Sequence, residues 1–331
     1  MPLENYGVLK ARPIARRLAT HANAHYQVHL IDLHEDTDYR VAINVKSQLS
    51  PSELEYLFID HYQHPMLAEL PDLPLGFTPI ARQPGGIALD FIRGNLFDPA
   101  AMQPLPFDQP GQNNDLNELL DAHMQPALAD EEALIYAFGE RWGPESQRDK
   151  IFGFRPGNGI HDIHMNQGNA ERFIPQDGVW QDGALFIHFP VMQRWTAVFL
   201  KFQSQCWHTD DIAGHCIATV EEPTLDGIIR IVAALPNPIG GAPEAETVTL
   251  LNTSPQAINL TGWAIADRQK HKHSLSGALP AGQTIVIALP SNVQLGNQGG
   301  VISLLNPDGL KVDGVSYTRE QVQREGWTII F

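Results

Sequence analysis

Cysteine is nearly absent from this 331-residue chain: Cys206 and Cys216 are the only two, and they do not form a C-x-x-C pair. A disulfide framework and a cysteine-rich zinc module are therefore excluded as organising devices. Basic residues are scarce too, with 22 Lys and Arg against 38 Asp and Glu and a formal charge of −16. From Gly240 onward there are six basic and seven acidic residues, which leaves 16 against 31 upstream, a net of −15 in that part. A field of that sign repels nucleic acid and anionic membrane at long range. Nucleic-acid binding then requires a local basic strip, a metal, or both, and the one strip is Lys10, Arg12, Arg16 and Arg17, opposed only by Glu4. No apolar run reaches the length of a membrane span, so no transmembrane segment is expected. The start, Met-Pro-Leu-Glu-Asn-Tyr-Gly, lacks an apolar stretch behind basic residues, so no secretory signal is expected. A cytoplasmic location is the default, which leaves non-classical export open. The G-x-S-x-G elbow, the phosphate-binding P-loop and H-E-x-x-H are all missing, and no nucleotide cofactor is indicated.

What remains is an ordered composition, 43% hydrophobic and 18% charged, at a length that suits two domains. His25-Tyr-Gln-Val-His-Leu-Ile-Asp and Tyr39-Arg-Val-Ala-Ile-Asn-Val-Lys alternate across a charged turn and predict a hairpin. Ser50-Pro-Ser-Glu has the cap, first-turn proline and acidic third position of a helix start, predicting two turns through Leu57. A second helix is predicted from Asp115 to about Leu128, with Leu116, Leu119, Leu120 and Met124 on one face. Strands are predicted at 133–138, 184–189 and 195–205. The hairpins ending Asn44-Val-Lys-Ser-Gln48 and Lys201-Phe-Gln-Ser-Gln205 look alike, and a duplication would set His29 and His188 across a cleft.

Proline and glycine at 235–244 read as a linker. Beyond it, short apolar runs between turns, with no long helical pattern, predict an antiparallel sandwich over 245–331. The expected architecture is thus a β-rich α+β domain over 1–234, the linker, and an immunoglobulin-like sandwich.

The chemistry-bearing segment is Gly157-Asn-Gly-Ile-His-Asp-Ile-His-Met-Asn-Gln-Gly-Asn169. His161 and His164 offer imidazole nitrogens and Asp162 a carboxylate within a glycine-bounded stretch, a donor set suited to one divalent metal, with Asp210 as a further ligand. Asn166 and Gln167 are orienting groups. His208 beside Asp210 and Asp211 is a candidate base. His25 and His29 share a strand face, near which Lys46 on the next strand is placed to meet a phosphate. His188 is a further candidate. The bland alternatives are a buried polar loop satisfying its own backbone, and surface histidines.

Residues 245–331 resemble a lamin-tail domain through Asn259-Leu-Thr-Gly-Trp263, Leu279-Pro-Ala-Gly282, Gly296-Asn-Gln-Gly-Gly300 and Val312-Asp-Gly-Val-Ser-Tyr317. That resemblance implies an immunoglobulin-like accessory module with Trp263 as core anchor. Residues 1 to about 220 are similar to the YukJ family, an uncharacterised bacterial family. The similarity lies in Leu3-Glu-Asn-Tyr-Gly-Val-Leu-Lys-Ala-Arg-Pro13, Ile43-Asn-Val-Lys-Ser47, Asp90-Phe-Ile-Arg-Gly-Asn95, Gly159-Ile-His-Asp-Ile-His-Met-Asn-Gln-Gly168 and Trp207-His-Thr-Asp210. It implies no particular chemistry. The residues themselves favour a hydrolase, a divalent-metal-dependent phosphodiesterase or nuclease acting on a small phosphodiester or nucleic acid. The alternative is a non-catalytic binding or scaffold protein whose sandwich contacts a protein partner.

Overall fold

The computed structural model describes residues 5–46, 54–81, 85–91, 93–107, 114–163, 182–202, 227–240 and 245–331. Two compact units divide the chain: one takes in 1–63, 70–89 and 98–205, the other 64–69, 90–97 and 206–331.

In the first unit the strands are β1 (Tyr6–Arg17), β2 (His25–Asp32), β3 (Thr37–Asn44), β4 (Leu54–Ile59), β5 (Gly76–Pro79) and β6 (Gln103–Pro104). Helix α1 (Asp115–Ala129) follows, and then β7 (Leu134–Glu145), β8 (Gly157–Ile163), β9 (Ala184–Phe189) and β10 (Arg194–Phe202). Five of them close a ring: β1 pairs with β2, β2 with β3, β3 with β8, β8 with β7, and β7 returns to β1. All these pairings are antiparallel except β3 with β8. Within the ring the long β1 serves two neighbours: Tyr6–Ala11 lie on β7 and Arg12–Arg17 on β2, where the register shifts between Pro13 and Ala15. Closure leaves the ring no free edge. Tyr26, Val28 and Leu30 from β2, Val41 and Ile43 from β3, and Ile160 and Ile163 from β8 fill the interior with Leu116, Leu120 and Met124 of α1. Of the remaining strands, β5 lies on the first half of β1, and β9, β10, β4 and β6 extend the sheet outward from β7.

This unit is a β-barrel, which corrects the α+β expectation. Among the described residues, α1 is its one α-helix, capped by the Asn114 side chain, which accepts from the Asn117 N–H. The helix expected up to Leu57 is also corrected, because 54–59 form β4 on β10. Leu54 and Tyr56 are buried while Leu57 and Phe58 are partly exposed, and Glu55 pairs with the buried Lys201 of β10. Tertiary pairing of an aromatic, β-favouring run outweighs the local cap signal.

The second unit contains β11 (Ile229–Leu235), β12 (Thr247–Asn252), β13 (Ile258–Asn259), β14 (Ala264–Ala266), β15 (Lys272–Ser274), β16 (Ala278–Leu279), β17 (Thr284–Ala288), β18 (Gly299–Leu305), β19 (Lys311–Thr318) and β20 (Ile329–Ile330). Its four-stranded sheets run β17-β12-β11-β20 and β15-β14-β18-β19, with Trp263 and Tyr317 buried in their shared core. Strand β11 lies ahead of the Pro/Gly stretch 235–244 yet pairs with β12, so that stretch connects two neighbouring strands of one sheet.

Two upstream stretches, 64–69 and 90–97, are built into this unit. Asn95 donates through Nδ2 to the carbonyls of Ile302 at 3.0 Å and Val315 at 3.2 Å. Gly314 is what admits it, since a Cβ there would lie 2.2 Å from Asn95 Oδ1. Lys270 Nζ donates to Arg93 O at 2.9 Å, and Arg268 pairs with Glu69. The Asp90-Phe-Ile-Arg-Gly-Asn95 motif thus has a structural role here, with Arg93 held on Asp90 at 2.5 Å.

Candidate functional site

The register of β8 fixes where the histidine segment leaves the barrel. Val41 of β3 pairs with Ile160 and Ile43 with Ile163, so His161 and Asp162 together oppose Ala42. Two residues against one is a bulge, a device that re-aims side chains and recurs beside active sites. At the same barrel end His25 opens β2 opposite Asn44, and Lys46 follows two residues beyond Asn44. The fold therefore brings His25, Lys46, His161 and Asp162 to one rim through backbone placement alone. The side chains of His161 and Asp162 lie outside the described residues, as do His164, Asn166, Gln167, His208 and Asp210 altogether. Among the described residues there is no group of three His, Cys, Asp or Glu side chains suited to a metal.

His29 points outward from the middle of β2. Its Nε2 meets Asp38 Oδ1 at 2.7 Å, and its ring stacks on both Phe152 and Phe154, with centroids 4.9 Å away in each case. Those phenylalanines belong to the turn after β7, which is built around Asp149. The carboxylate of Asp149 accepts from the N–H groups of Ile151 (2.9 Å) and Phe152 (2.7 Å) and from Arg40 Nε (2.6 Å). Burial alone would raise this carboxyl's pKa, but the bonds from Phe152, Arg40 and Ile151 outweigh it and hold it below the ordinary value. Arg40 also donates to Gln27 at 2.9 Å and stacks over Trp142.

His188 sits elsewhere, on β9. It is buried and stacks on Trp195 at 3.8 Å with Tyr136 alongside, and burial, assisted by Lys10, pushes its pKa down to about 4. At neutral pH the ring is uncharged. Its Nδ1 and the Tyr136 hydroxyl are both buried without a hydrogen-bond partner among the described residues. His29 and His188 have separate neighbours, so the cleft expected from a duplication does not arise from these contacts. In the sequence Tyr136 reads as one more apolar strand position.

The expected basic strip on β1 does not survive as a strip. Lys10 is buried and donates to the carbonyls of Pro71 and Leu73, both at 2.7 Å, while Arg16 is held by Asp121. Arg12 is half-buried, and Arg17 alone of the four is exposed, over the ring of Phe152.

Residues 1–214 match the family described as an uncharacterized conserved protein, DUF2278. The chain is a member of the DUF2278 family. Residues 226–319 of this DUF2278 protein match the lamin tail domain. A similar relative is the uncharacterized protein YukJ of Bacillus subtilis (strain 168), 44% identical over 214 residues, which cover 64% of this chain and 93% of that protein. The lamin-tail match begins at 226, ahead of β11, in agreement with the pairing of β11 inside the sandwich.

Proposed function

We propose that the barrel of this DUF2278 protein is directed at phosphodiesters, and that it hydrolyses them with one divalent metal at the rim where β8 ends. The observation that carries this reading is the bulge at His161 and Asp162, which lies at the same barrel end as His25 and Lys46. In this reading His161, His164, Asp162 and Asp210 hold the metal. His208 serves as base, Asn166 and Gln167 orient the substrate, and Lys46 faces the phosphate. The metal would supply an activated water and charge neutralisation on the phosphoryl oxygens. The test is metal analysis of the purified chain together with turnover of bis(p-nitrophenyl) phosphate in Mg²⁺ or Mn²⁺. Stoichiometric metal and a turnover lost in His161→Ala support the reading; a metal-free chain with no turnover in either ion refutes it.

A second reading, a binding protein that uses the sandwich as its interaction module, has its own support. The sandwich unit already holds two short stretches of upstream chain, one through Asn95 and one through Glu69.

A further inference from the structure

The closed ring has a specific order. Numbering only its members, the strands run 1-2-3-5-4 and back to 1, with the third and fifth parallel and α1 inserted between the third and fourth. That is the arrangement of the OB-fold, a five-stranded Greek-key barrel. Its second and third strands, with the loops after the first and fourth strands, form the surface that takes oligonucleotides and oligosaccharides. In this chain the corresponding surface is the outer face of β2 and β3, overlaid by the loop 146–156 between β7 and β8.

The side chains on that surface differ from the rest of the protein. Arg148, Lys150 and Arg155 are exposed on the loop, and exposed Arg17 lies over Phe152 with its guanidinium carbon 5.6 Å from the ring centroid. Phe152 and Phe154 are half-buried and extend, with His29, a run of stacked rings. Of the acidic residues at this end of the barrel, Asp149 is engaged by Arg40 and Asp38 by His29, while Glu145 at the end of β7 and Glu35 and Asp36 in the β2–β3 turn are exposed. Four exposed cations, Arg17 and three on the loop that carries the two rings, stand against three exposed acids there, a local exception on a chain of charge −16. Cations meet phosphates and rings meet unstacked bases, and single-strand binders combine these two elements. A neutral oligosaccharide would use the rings but not the cations.

We propose that the 146–156 loop, packed over the β2–β3 face whose Gln27 and Arg40 it buries, forms with Arg17 a binding site for single-stranded nucleic acid. The site deepens the phosphodiester reading by naming the polymer that would be presented to the rim, yet it needs no metal. Binding and cleavage are therefore read separately.

The test is fluorescence anisotropy of the full chain with a labelled thymidine oligonucleotide and its RNA counterpart in EDTA, across a salt series. Four phosphate contacts predict that log affinity falls against log salt with a slope of about −3, at about 0.7 per contact. The variant Arg148→Glu/Lys150→Glu/Arg155→Glu changes exposed side chains, of which Arg148 also donates to the Gly153 carbonyl at 3.2 Å, and is expected to abolish binding. Lys150→Glu alone should weaken it several-fold and guards against misfolding of the triple variant. Phe152→Ala is expected to cost about tenfold, the loss of one stacked base. Equal binding of polyglutamate, or of an uncharged oligosaccharide, would overturn the proposal, as would no oligonucleotide binding at low salt or wild-type affinity in a folded triple variant. Oligonucleotide binding without turnover of any diester would sink the hydrolase reading and leave this one standing.

Discussion

Replacing Asp149 by alanine removes the acceptor at the centre of the 149–154 turn and leaves Arg40 charged in a dry place. The side chains of Arg40 and Asp149 are 6% and 0% exposed, and the pair is 2.6 Å apart. Breaking one side of a buried ion pair costs about 3–5 kcal/mol, because the remaining charge is neither solvated nor paired. Two N–H groups, of Ile151 and Phe152, lose their acceptor in the same substitution. The expected loss is thus about 3–5 kcal/mol in urea-induced unfolding of the barrel, with amide exchange at 151 and 152 accelerated before any global opening. Asp149→Asn keeps an oxygen for the two amides but not the charge, so it should protect those amides while still losing most of the stability. Arg40→Met/Asp149→Leu removes both charges together and should be far milder than either single change. A cost below about 1 kcal/mol for Asp149→Ala, or a double variant as damaged as the singles, would refute the reasoning.

Acid sensitivity follows from two buried histidines. Burial holds His188 at about 4, and burial, partly offset by the Gly94 carbonyl, does the same for His64, against 6.5 unfolded. Both pKa values fall on folding, so each histidine's contribution is full above pH 6.5 and declines as pH drops towards 4. Each is worth up to about 3 kcal/mol; a melting temperature flat across that window would contradict it, and His188→Phe should remove the barrel's share. Gly159→Ala puts a Cβ 1.8 Å from the Arg40 carbonyl oxygen, a backbone atom that no rotamer relieves, so the β3–β8 pairing should fail at a cost above about 3 kcal/mol. In the sandwich unit, Gly314→Ala should destabilise by pressing on Asn95, and Asn95→Ala by about 1–3 kcal/mol through two carbonyls left short of a donor. The double variant should be less damaged than the sum of the two, measured by urea melts.

The sandwich was legible because its strands are short, alternating and separated by turns, so local pattern and tertiary arrangement coincide. Trp263 read as a core anchor and is one. Helix α1 was legible for the same reason, its apolar face being a local signal. Closure of the barrel was not. It depends on the parallel pairing of Arg40 with Gly159 and of Val41 with Ile160, between strands far apart in sequence, and no local period encodes that. Leu54–Ile59 carries a helix-start signal ahead of it, yet it is a strand whose partner, β10, lies beyond residue 190. The rim site was half legible: the residue types at 157–169 drew attention, but that His161 and Asp162 occupy a bulge is a property of register. The stacking of Phe152 and Phe154 on His29 was hidden, since those phenylalanines sit in a turn-rich stretch with no apolar period.

The most direct test of phosphodiester chemistry at the barrel rim is turnover of a labelled single-stranded oligonucleotide by the full chain in Mg²⁺ or Mn²⁺, with and without EDTA. Cleavage that EDTA stops and His161→Ala abolishes, while oligonucleotide binding persists in both, is the predicted result. An oligonucleotide left intact in either metal, or cleaved equally by His161→Ala, would contradict it.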